Sequence, residues 1–182
     1  YVARNGPCSP QDRWEESAGI SPFTLGIEIA ALVCAGDHLP AEESAYALSL
    51  ADYWNERLDE WTYVENGPFS EAFGIDGYYV RIAAPFCQGG LRGRIDIANQ
   101  AGGSAPAAAL VGMECLYLAR LGLRDASDPR ILNTAKVIDG LLGVRTPHGT
   151  AYRRYNGDGY GEHENGAPFD GTGIGRLWPL LT

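Results

Sequence analysis

The stretch SPFTLGIEIAALVCAG, residues 21–36, decides the fold of this chain. Ser21 suits a helix N-cap, Pro22 suits the first helical position, and Gly36 suits the end of the helix. Apolar side chains recur all the way around this helix, and only two polar ones interrupt them. A helix without a polar face is buried on all sides. The segment is therefore predicted to lie inside a larger assembly of helices.

Three further segments read as helices, and they alternate in character with the first. Residues 41–61 carry one apolar stripe and one polar face, residues 106–121 are apolar nearly all round, and residues 129–142 are again amphipathic. This order predicts an all-α fold that is part of an α/α toroid, in which buried inner helices alternate with half-exposed outer ones. An ordinary helical bundle is the alternative, and its helices would show one polar face more uniformly. The predicted core stripe of the last helix is Ile131, Leu132, Ala135, Ile138 and Leu142.

Two long regions lack helical periodicity. Residues 62–103 are punctuated by glycine and read as an ordered, irregular excursion, which is more often functional than a linker. Within it, Tyr78–Ile82 is predicted as a short strand. Residues 146–182 are rich in glycine and aromatic residues and read as loops.

Composition and charge exclude several classes of partner. The 182 residues contain 14 Lys+Arg and 23 Asp+Glu, which gives a formal net charge of −9. Nucleic acids and anionic membranes reward clustered basic residues, so neither is an expected partner. No apolar run approaches the roughly 18 residues that a membrane-spanning helix needs. An acidic surface is compatible with a neutral carbohydrate.

Neither a metal nor a cofactor is predicted. The four cysteines and three histidines do not have the spacing of a zinc site. The acidic loop of residues 152–170 offers calcium as an alternative, but its spacing departs from that of an EF-hand. Free thiols are favoured over disulfides, and Cys34 and Cys115 are predicted to be buried because they lie in apolar helical runs.

The densest group of chemically useful residues is SPQDRWEESAG, residues 9–19. Hydrolysis of a glycosidic bond needs one carboxylic acid to protonate the leaving oxygen and a second carboxylate to activate water or to attack. Asp12, Glu15 and Glu16 supply carboxyl groups, and a tryptophan supplies a face for a sugar ring and a dry wall beside an acid. From these residues alone, a solvated acidic turn before a helix is the favoured interpretation, because the helix dipole stabilises acidic residues there.

A second cluster, residues 152–170, combines aromatic, arginine and carboxylate side chains on glycine-rich loops. Such a set suits hydrogen bonding to sugars and stacking on their rings. The alternative is a long surface loop rich in turn-forming residues.

Residues 9–19 resemble the active-site signature of the glucoamylases, glycoside hydrolase family fifteen. The signature has a small residue, Pro or Gly, a spacer, an acid, one further residue, Trp-Glu-Glu, and then Gly or Ser after a short gap. The resemblance is strongest to the bacterial branch and extends over nearly the whole chain, through residues 23–24, 120–124, 128–130, 154–162, 168–173 and 176–182.

The resemblance implies a barrel of six inner and six outer helices, an (α/α)6 fold, and removal of glucose from the non-reducing ends of α-glucans with inversion. It makes Glu15 the general acid and Glu16 the residue that holds the sugar on the leaving side. Asp12 occupies the signature's other acid position and is expected to support the catalytic acid. The substrate-binding residues that it implies beside Glu16 are Arg13, Trp14, Arg154, Tyr155, Asp158 and Trp178.

Two elements of the family pattern are missing from this sequence. A Trp-x-Arg-Asp segment normally precedes this region, and the general base, a glutamate in a Glu-Gln context, normally follows it. No Glu-Gln pair occurs here. Residues 1–182 are therefore expected to be one partial catalytic domain, incomplete at both ends and inactive alone.

The expected partner is an α-glucan or a maltooligosaccharide. Alternatives within the family are action on isomaltose, dextran or trehalose, and glucosyl transfer instead of hydrolysis. A catalytically inactive sugar-binding relative is a further alternative. Oligomeric state stays open. Relatives are often exported, which by analogy favours a secreted or periplasmic location.

Overall fold

The computed structural model describes residues 1–98, 100, 103–163, 165, 167, 170 and 174–178. The described residues form six α-helices: α1 Val2–Asn5, α2 Pro22–Gly36, α3 Ala41–Thr62, α4 Ser70–Phe73, α5 Leu116–Arg120 and α6 Pro129–Leu142. Short strands pair consecutively and antiparallel in four two-stranded sheets: β1 Tyr63–Glu65 with β2 Gly77–Tyr79, β3 Arg94–Asp96 with β4 Ser104–Pro106, β5 Gly143–Thr146 with β6 Gly149–Tyr152, and β7 Gly161–Glu162 with β8 Ile174–Gly175.

Helix α2 forms where it is predicted, but only one of its faces is buried. Leu25, Ile29 and Leu32 pack on that face, toward α3 and α5. On another face Val33 is 47% exposed and Cys34 is also exposed. The prediction of burial on all sides, Cys34 included, is therefore wrong for this structure, because no described element covers that face.

Helix α3 confirms its prediction, with Ala51, Trp54 and Leu58 buried along one stripe and a polar face in water. It is one residue longer than predicted, and Thr62 at its end donates its hydroxyl to the carbonyl of Leu58 at 2.7 Å. This bond satisfies the Thr62 hydroxyl, which is buried and would otherwise lack a partner.

Helix α6 also forms as predicted. The Asp128 side chain caps it by accepting a hydrogen bond from the backbone N–H of Arg130 at 2.9 Å. One member of the predicted stripe is misplaced: Leu132 is 49% exposed, and Thr134 and Val137 take buried positions. Thr134 fits this interior because its hydroxyl donates to the Arg130 carbonyl and accepts the N–H of Tyr79.

The predicted helix over residues 106–121 is wrong for most of its length. Only α5 at its end is α-helical, and an extended stretch around Val111 precedes it. Backbone pairing explains the difference, because Val111 and Asn156 exchange hydrogen bonds and Gly112 forms a bridge with Tyr155. The predicted end at Gly122 is confirmed: this glycine has φ +74°, in the left-handed region that favours glycine after a helix.

Two apolar clusters hold these elements together. The larger lies among α2, α3, α5, α6 and β2, and it buries Cys115 as predicted. The smaller surrounds Ile82, Ile95, Leu110 and Tyr155, and Trp14 packs against it. The second cluster therefore places the aromatic residue of the signature beside the loop of Tyr155.

The region of residues 62–103 is irregular, as predicted, with short strands and single helical turns. The expected strand over Tyr78–Ile82 is realised only as β2, which ends at Tyr79. Beyond it, Arg81 donates its backbone N–H to Leu110 at 2.7 Å, and Ala83 pairs with Ile20. These bonds bring the chain after β2 close to the signature of residues 9–19. None of the helices in the described part of the chain has the length and apolarity needed to cross a membrane.

Candidate active site

The signature folds as a closed loop. Ser9 and Gly19 exchange backbone hydrogen bonds of 2.9 and 3.0 Å, so the loop begins and ends at one point. Gly19 has φ +152°, and a Cβ added there would lie 2.1 Å from the carbonyl oxygen of Ala83. Only glycine fits this position, which gives a physical reason for the glycine in the signature.

The side chain of Asp12 holds together the turn of residues 12–16. Its Oδ1 accepts the backbone N–H groups of Trp14 at 3.0 Å and Glu16 at 3.1 Å, and its Oδ2 accepts from Nη2 of Arg81. The carboxylate is almost completely buried. Its oxygens are thus occupied with backbone and arginine donors, so the structure gives Asp12 a positioning role.

Glu15 lies at the exposed tip of this turn. Its backbone φ is +60°, a left-handed conformation that is uncommon for a residue with a side chain. Its backbone N–H donates to the Asp12 carbonyl at 3.0 Å, and its carboxyl group makes no hydrogen bond or ion pair with any residue that the structure describes. The turn therefore presents this carboxyl group to solvent at some cost in backbone energy.

Glu16 has the opposite environment. Its Oε1 accepts from Nη2 of Arg154 at 2.8 Å, and its Oε2 accepts from the Tyr155 hydroxyl at 2.6 Å and from Nη2 of Arg81 at 3.2 Å. Two cations and a phenol thus fix both oxygens as acceptors. A carboxylate held in this way suits binding better than proton donation.

Arg154 connects Glu16 to Asp158. Its Nε and Nη2 each lie 2.7 Å from an oxygen of Asp158, in a bidentate arrangement. Burial opposes the charge on Arg154, but the carboxylates of Asp158 and Glu16 outweigh it and raise the pKa of the guanidinium above its ordinary value. Burial also raises the pKa of the Tyr155 hydroxyl, which keeps it a donor to Glu16.

Aromatic rings form a wall beside this cluster. The ring centroids of Trp14 and Trp178 lie 5.9 Å apart, and Tyr160 stacks on Trp178 at 6.3 Å with an interplanar angle of 26°. The guanidinium of Arg154 lies 5.1 Å from the Trp14 ring and 4.9 Å from the Tyr160 ring. The structure therefore brings both sequence clusters, one hundred and forty residues apart, into one site.

Arg13 is placed differently from the other predicted binding residues. Its guanidinium packs 4.7 Å from the rings of both Trp14 and Phe23 and 5.4 Å from that of Tyr117. These contacts tie the signature to α2 through Phe23 and to the first turn of α5 through Tyr117. Arg13 therefore supports Trp14 from the helical side, and its predicted contact with substrate stays a prediction.

Sequence reasoning missed two buried charged residues of the site, Arg81 and Glu114. Arg81 binds Asp12 and Glu16, and its guanidinium carbon lies 3.9 Å from the ring centre of Tyr155. Glu114 accepts from Nε1 of Trp14 at 3.2 Å. Each lies in an apolar stretch, where a lone charged residue implies a buried partner, and this signal could have found them.

The described residues contain no group of three or more His, Cys, Asp or Glu side chains that could hold a metal ion. Within the predicted loop, His163 contacts Asp170 at 2.9 Å. Parts of the family resemblance, at residues 168–169, 171–173 and 179–182, lie outside the described residues.

The chain is similar to known proteins in both sequence and fold. The family model described as glycosyl hydrolases family 15 matches residues 1–180. A glucoamylase from Clostridium sp. (strain G0005) is 39% identical over 192 aligned positions, which cover 100% of this chain and 26% of that protein. The crystal structure of a bacterial glucoamylase complexed with acarbose superposes with a TM-score of 0.88 at 41% identity, covering 99% of this chain and 26% of that one.

The chain thus spans about a quarter of the length of the relatives it matches. The structural match confirms the predicted fold class, part of an (α/α)6 barrel, although the helix over residues 106–121 that helped to suggest it is mostly absent. The length of the family match and the identity to the relatives lead to one conclusion: the chain belongs to glycosyl hydrolases family 15.

Proposed function

We propose that the protein containing this chain is an inverting, exo-acting α-glucosidase that releases β-glucose from the non-reducing ends of starch-like α-glucans. The name of the Clostridium relative supports glucan hydrolysis, and the acarbose bound to the crystallised relative supports an oligosaccharide as ligand. The proposal goes beyond family membership in its stereochemistry, its substrate and the roles of individual residues.

The observation that carries the proposal is the contrast between Glu15 and Glu16. The side chain of Glu15 is exposed and its backbone is left-handed. By contrast, Arg81, Arg154 and Tyr155 hold both carboxylate oxygens of Glu16. A glycosidase needs one carboxyl group that is free to give a proton to the leaving oxygen. Of the two, Glu15 meets this requirement, and Glu16 is suited to accept hydroxyl hydrogens from a bound sugar.

In this mechanism a glucan binds against the aromatic wall, next to the Glu16–Arg154 pair. Trp14 and Trp178 offer ring faces to the sugar, and Glu16 with Arg154 fixes the sugar on the leaving side. Glu15 then protonates the glycosidic oxygen as the bond to the anomeric carbon breaks. A second carboxylate, about 6.5–9.5 Å from Glu15, would activate the water that attacks from the opposite face.

We assign that general base to a segment outside residues 1–182. Residues 1–182 would then be one part of a larger catalytic domain. Two observations support this domain assignment: the chain covers 26% of its relatives, and α2 carries an exposed apolar face at Ile27 and Val33. The isolated chain would then be inactive. Glucose release by a pure preparation of residues 1–182 would contradict this assignment.

The role of Glu15 is tested by Glu15→Gln in the full-length protein that contains this chain. The amide keeps the shape of the side chain but has no acidic proton, so kcat on maltotriose should fall by about 10²–10⁴-fold while acarbose affinity changes little. Glu56→Gln, an exposed glutamate on α3, serves as the matched control and should leave kcat unchanged.

A near-normal kcat for Glu15→Gln would remove Glu15 from the acid role. A wild-type protein that binds acarbose but releases no glucose would instead favour the catalytically inactive sugar-binding alternative. The two results are distinct, because the first requires an active wild-type enzyme.

A further inference from the structure

Glu114 carries a deeply buried carboxyl group near the site, and the proposed mechanism does not use it. It is 1% exposed and lies in the turn that leads into α5, two residues after Gly112, which bridges to Tyr155. Charged residues are seldom buried this deeply without a specific partner. Its position next to the aromatic wall therefore calls for a physical explanation.

The partner of Glu114 is Trp14. Its Oε1 accepts a hydrogen bond from Nε1 of the indole at 3.2 Å, across one hundred positions of sequence. An indole has one donor and no acceptor, so this bond restrains rotation about χ1 and χ2 of Trp14 and with it the orientation of the ring. The same ring faces Trp178 at 5.9 Å and Arg154 at 5.1 Å.

The electrostatic environment favours the uncharged form of Glu114. Burial raises the pKa of this carboxyl group, and the nearby charge of Asp12 adds to the rise; Arg81 and Arg13 act in the opposite direction without cancelling it. Nη2 of Arg81 donates to Asp12 and Glu16, and the described residues show no ion pair between Arg81 and Glu114. An uncharged carboxyl group can still accept the indole N–H through its carbonyl oxygen.

The backbone around Glu114 leaves room for this side chain and little else. A Cβ added to Gly112 would lie 2.1 Å from Oε2 of Glu114 and 3.1 Å from the carbonyl oxygen of Arg154. The missing side chain at Gly112 thus leaves space for the Glu114 carboxyl group beside the backbone of Gly112 and Arg154. Glu114 is confined on one side by backbone and on the other by Trp14.

We propose that Glu114 is a positioning residue that holds the Trp14 indole at the orientation required for sugar binding. The inference rests on the proposed function, since it assigns Trp14 to the wall that the glucan contacts. Misplacement of a contact group by about 1 Å can cost 10²-fold in rate. A hydrogen bond from the far side of the ring is a direct way to prevent such misplacement.

Two substitutions separate the acceptor from the acid. Glu114→Gln keeps a carbonyl oxygen for the indole and has no charge, whereas Glu114→Met has similar length and no comparable acceptor. We expect Glu114→Gln to keep kcat/KM for maltotriose and the acarbose Kd within about twofold of wild type. Glu114→Met should lower both the affinity for acarbose and kcat/KM by about tenfold, which corresponds to about 1.4 kcal/mol, because an indole that is no longer held must be ordered when the sugar binds.

A readout independent of activity accompanies these assays. The indole N–H of Trp14, assigned in ¹⁵N-labelled full-length protein by its loss in Trp14→Phe, should exchange with solvent faster in Glu114→Met than in wild type or Glu114→Gln. Glu56→Met, on the exposed face of α3, is the control for introduction of a methionine. If Glu114→Met does not fold, Trp14→Phe replaces it, because phenylalanine keeps a ring face and lacks the N–H donor.

Three results would overturn the proposal: a folded Glu114→Met, or its Trp14→Phe replacement, with kinetics like wild type; a Glu114→Gln as impaired as Glu114→Met; or indole exchange that is the same in all folded Glu114 variants. A wild-type protein that neither binds acarbose nor releases glucose would contradict the proposed function instead. In that case the exchange measurement still decides whether Glu114 holds Trp14.

Discussion

Glu15 and Glu16 are chemically identical neighbours whose surroundings separate their roles. One is exposed on a residue with φ +60°, and the other has both oxygens bound by cations and a phenol. Glu15 itself has a left-handed backbone conformation, so the chain changes direction between the two residues and their side chains lie in different surroundings. Their adjacency alone indicates that they point in different directions, but it does not show which one is held.

The backbone of Glu15 gives a prediction about stability. Because glycine adopts a positive φ without steric cost, Glu15→Gly should raise the free energy of unfolding by about 1 kcal/mol while abolishing glucose release. Glu56→Gly makes the same substitution inside helix α3, where it should lower stability by about 1 kcal/mol. Thermal unfolding of the two variants should therefore move in opposite directions, and a Glu15→Gly that is less stable than wild type would contradict the account.

The residues that sequence could predict are those of the signature and of the Arg154 loop. Glu15, Glu16 and Arg154 were identified by pattern, whereas Arg81 and Glu114 were not, since their meaning depends on partners 65 to 100 positions away. A buried ion pair requires two segments to meet. A lone charged residue in an apolar stretch indicates that a buried partner exists, but local composition does not identify that partner.

At the scale of elements, the turn of residues 12–16 depends on Asp12 more than on any regular secondary structure. Its side chain replaces the missing backbone partners of two N–H groups and pairs with the buried Arg81. A short loop of this kind can present a strained residue only if something else holds it in place.

Replacement of Asp12 tests this dependence. Asp12→Asn keeps an acceptor for the backbone but leaves the buried Arg81 with one fewer negative partner, so the free energy of unfolding should fall by about 3 kcal/mol. Asp52→Asn, an exposed position on α3, should change it by less than about 0.5 kcal/mol. Urea unfolding of the full-length protein measures both, and equal effects would show that Asp12 does not hold the turn.

The helices show which kind of prediction succeeds. Segments with a single apolar stripe, α3 and α6, form where their periodicity predicts them. The uniformly apolar segment 106–121 did not, because Val111 and Gly112 pair with the chain at Tyr155 and Asn156. An apolar run without a polar face has no period that distinguishes a buried helix from a buried extended strand.

At the scale of the whole molecule, the site is the place where distant parts of the chain converge. Three segments contribute to it. The signature presents the exposed carboxyl group of Glu15, the turn before α5 supplies the buried Glu114, and the chain after β6 supplies Arg154 and aromatic rings. Family membership supports glycoside hydrolysis as the class of chemistry. The geometry of these segments supports the proposed roles of Glu15 as the acid and Glu16 as a sugar-binding group.

The central claim is that Glu15 is the acid of an inverting glucosidase, and the stereochemistry of the product tests it most directly. The full-length protein is mixed with maltotriose, and the first glucose released is followed by proton NMR before the anomers equilibrate. The account predicts that β-glucose appears first and that Glu15→Gln greatly slows its appearance. Release of α-glucose first, or no release while maltotriose is bound, would contradict it.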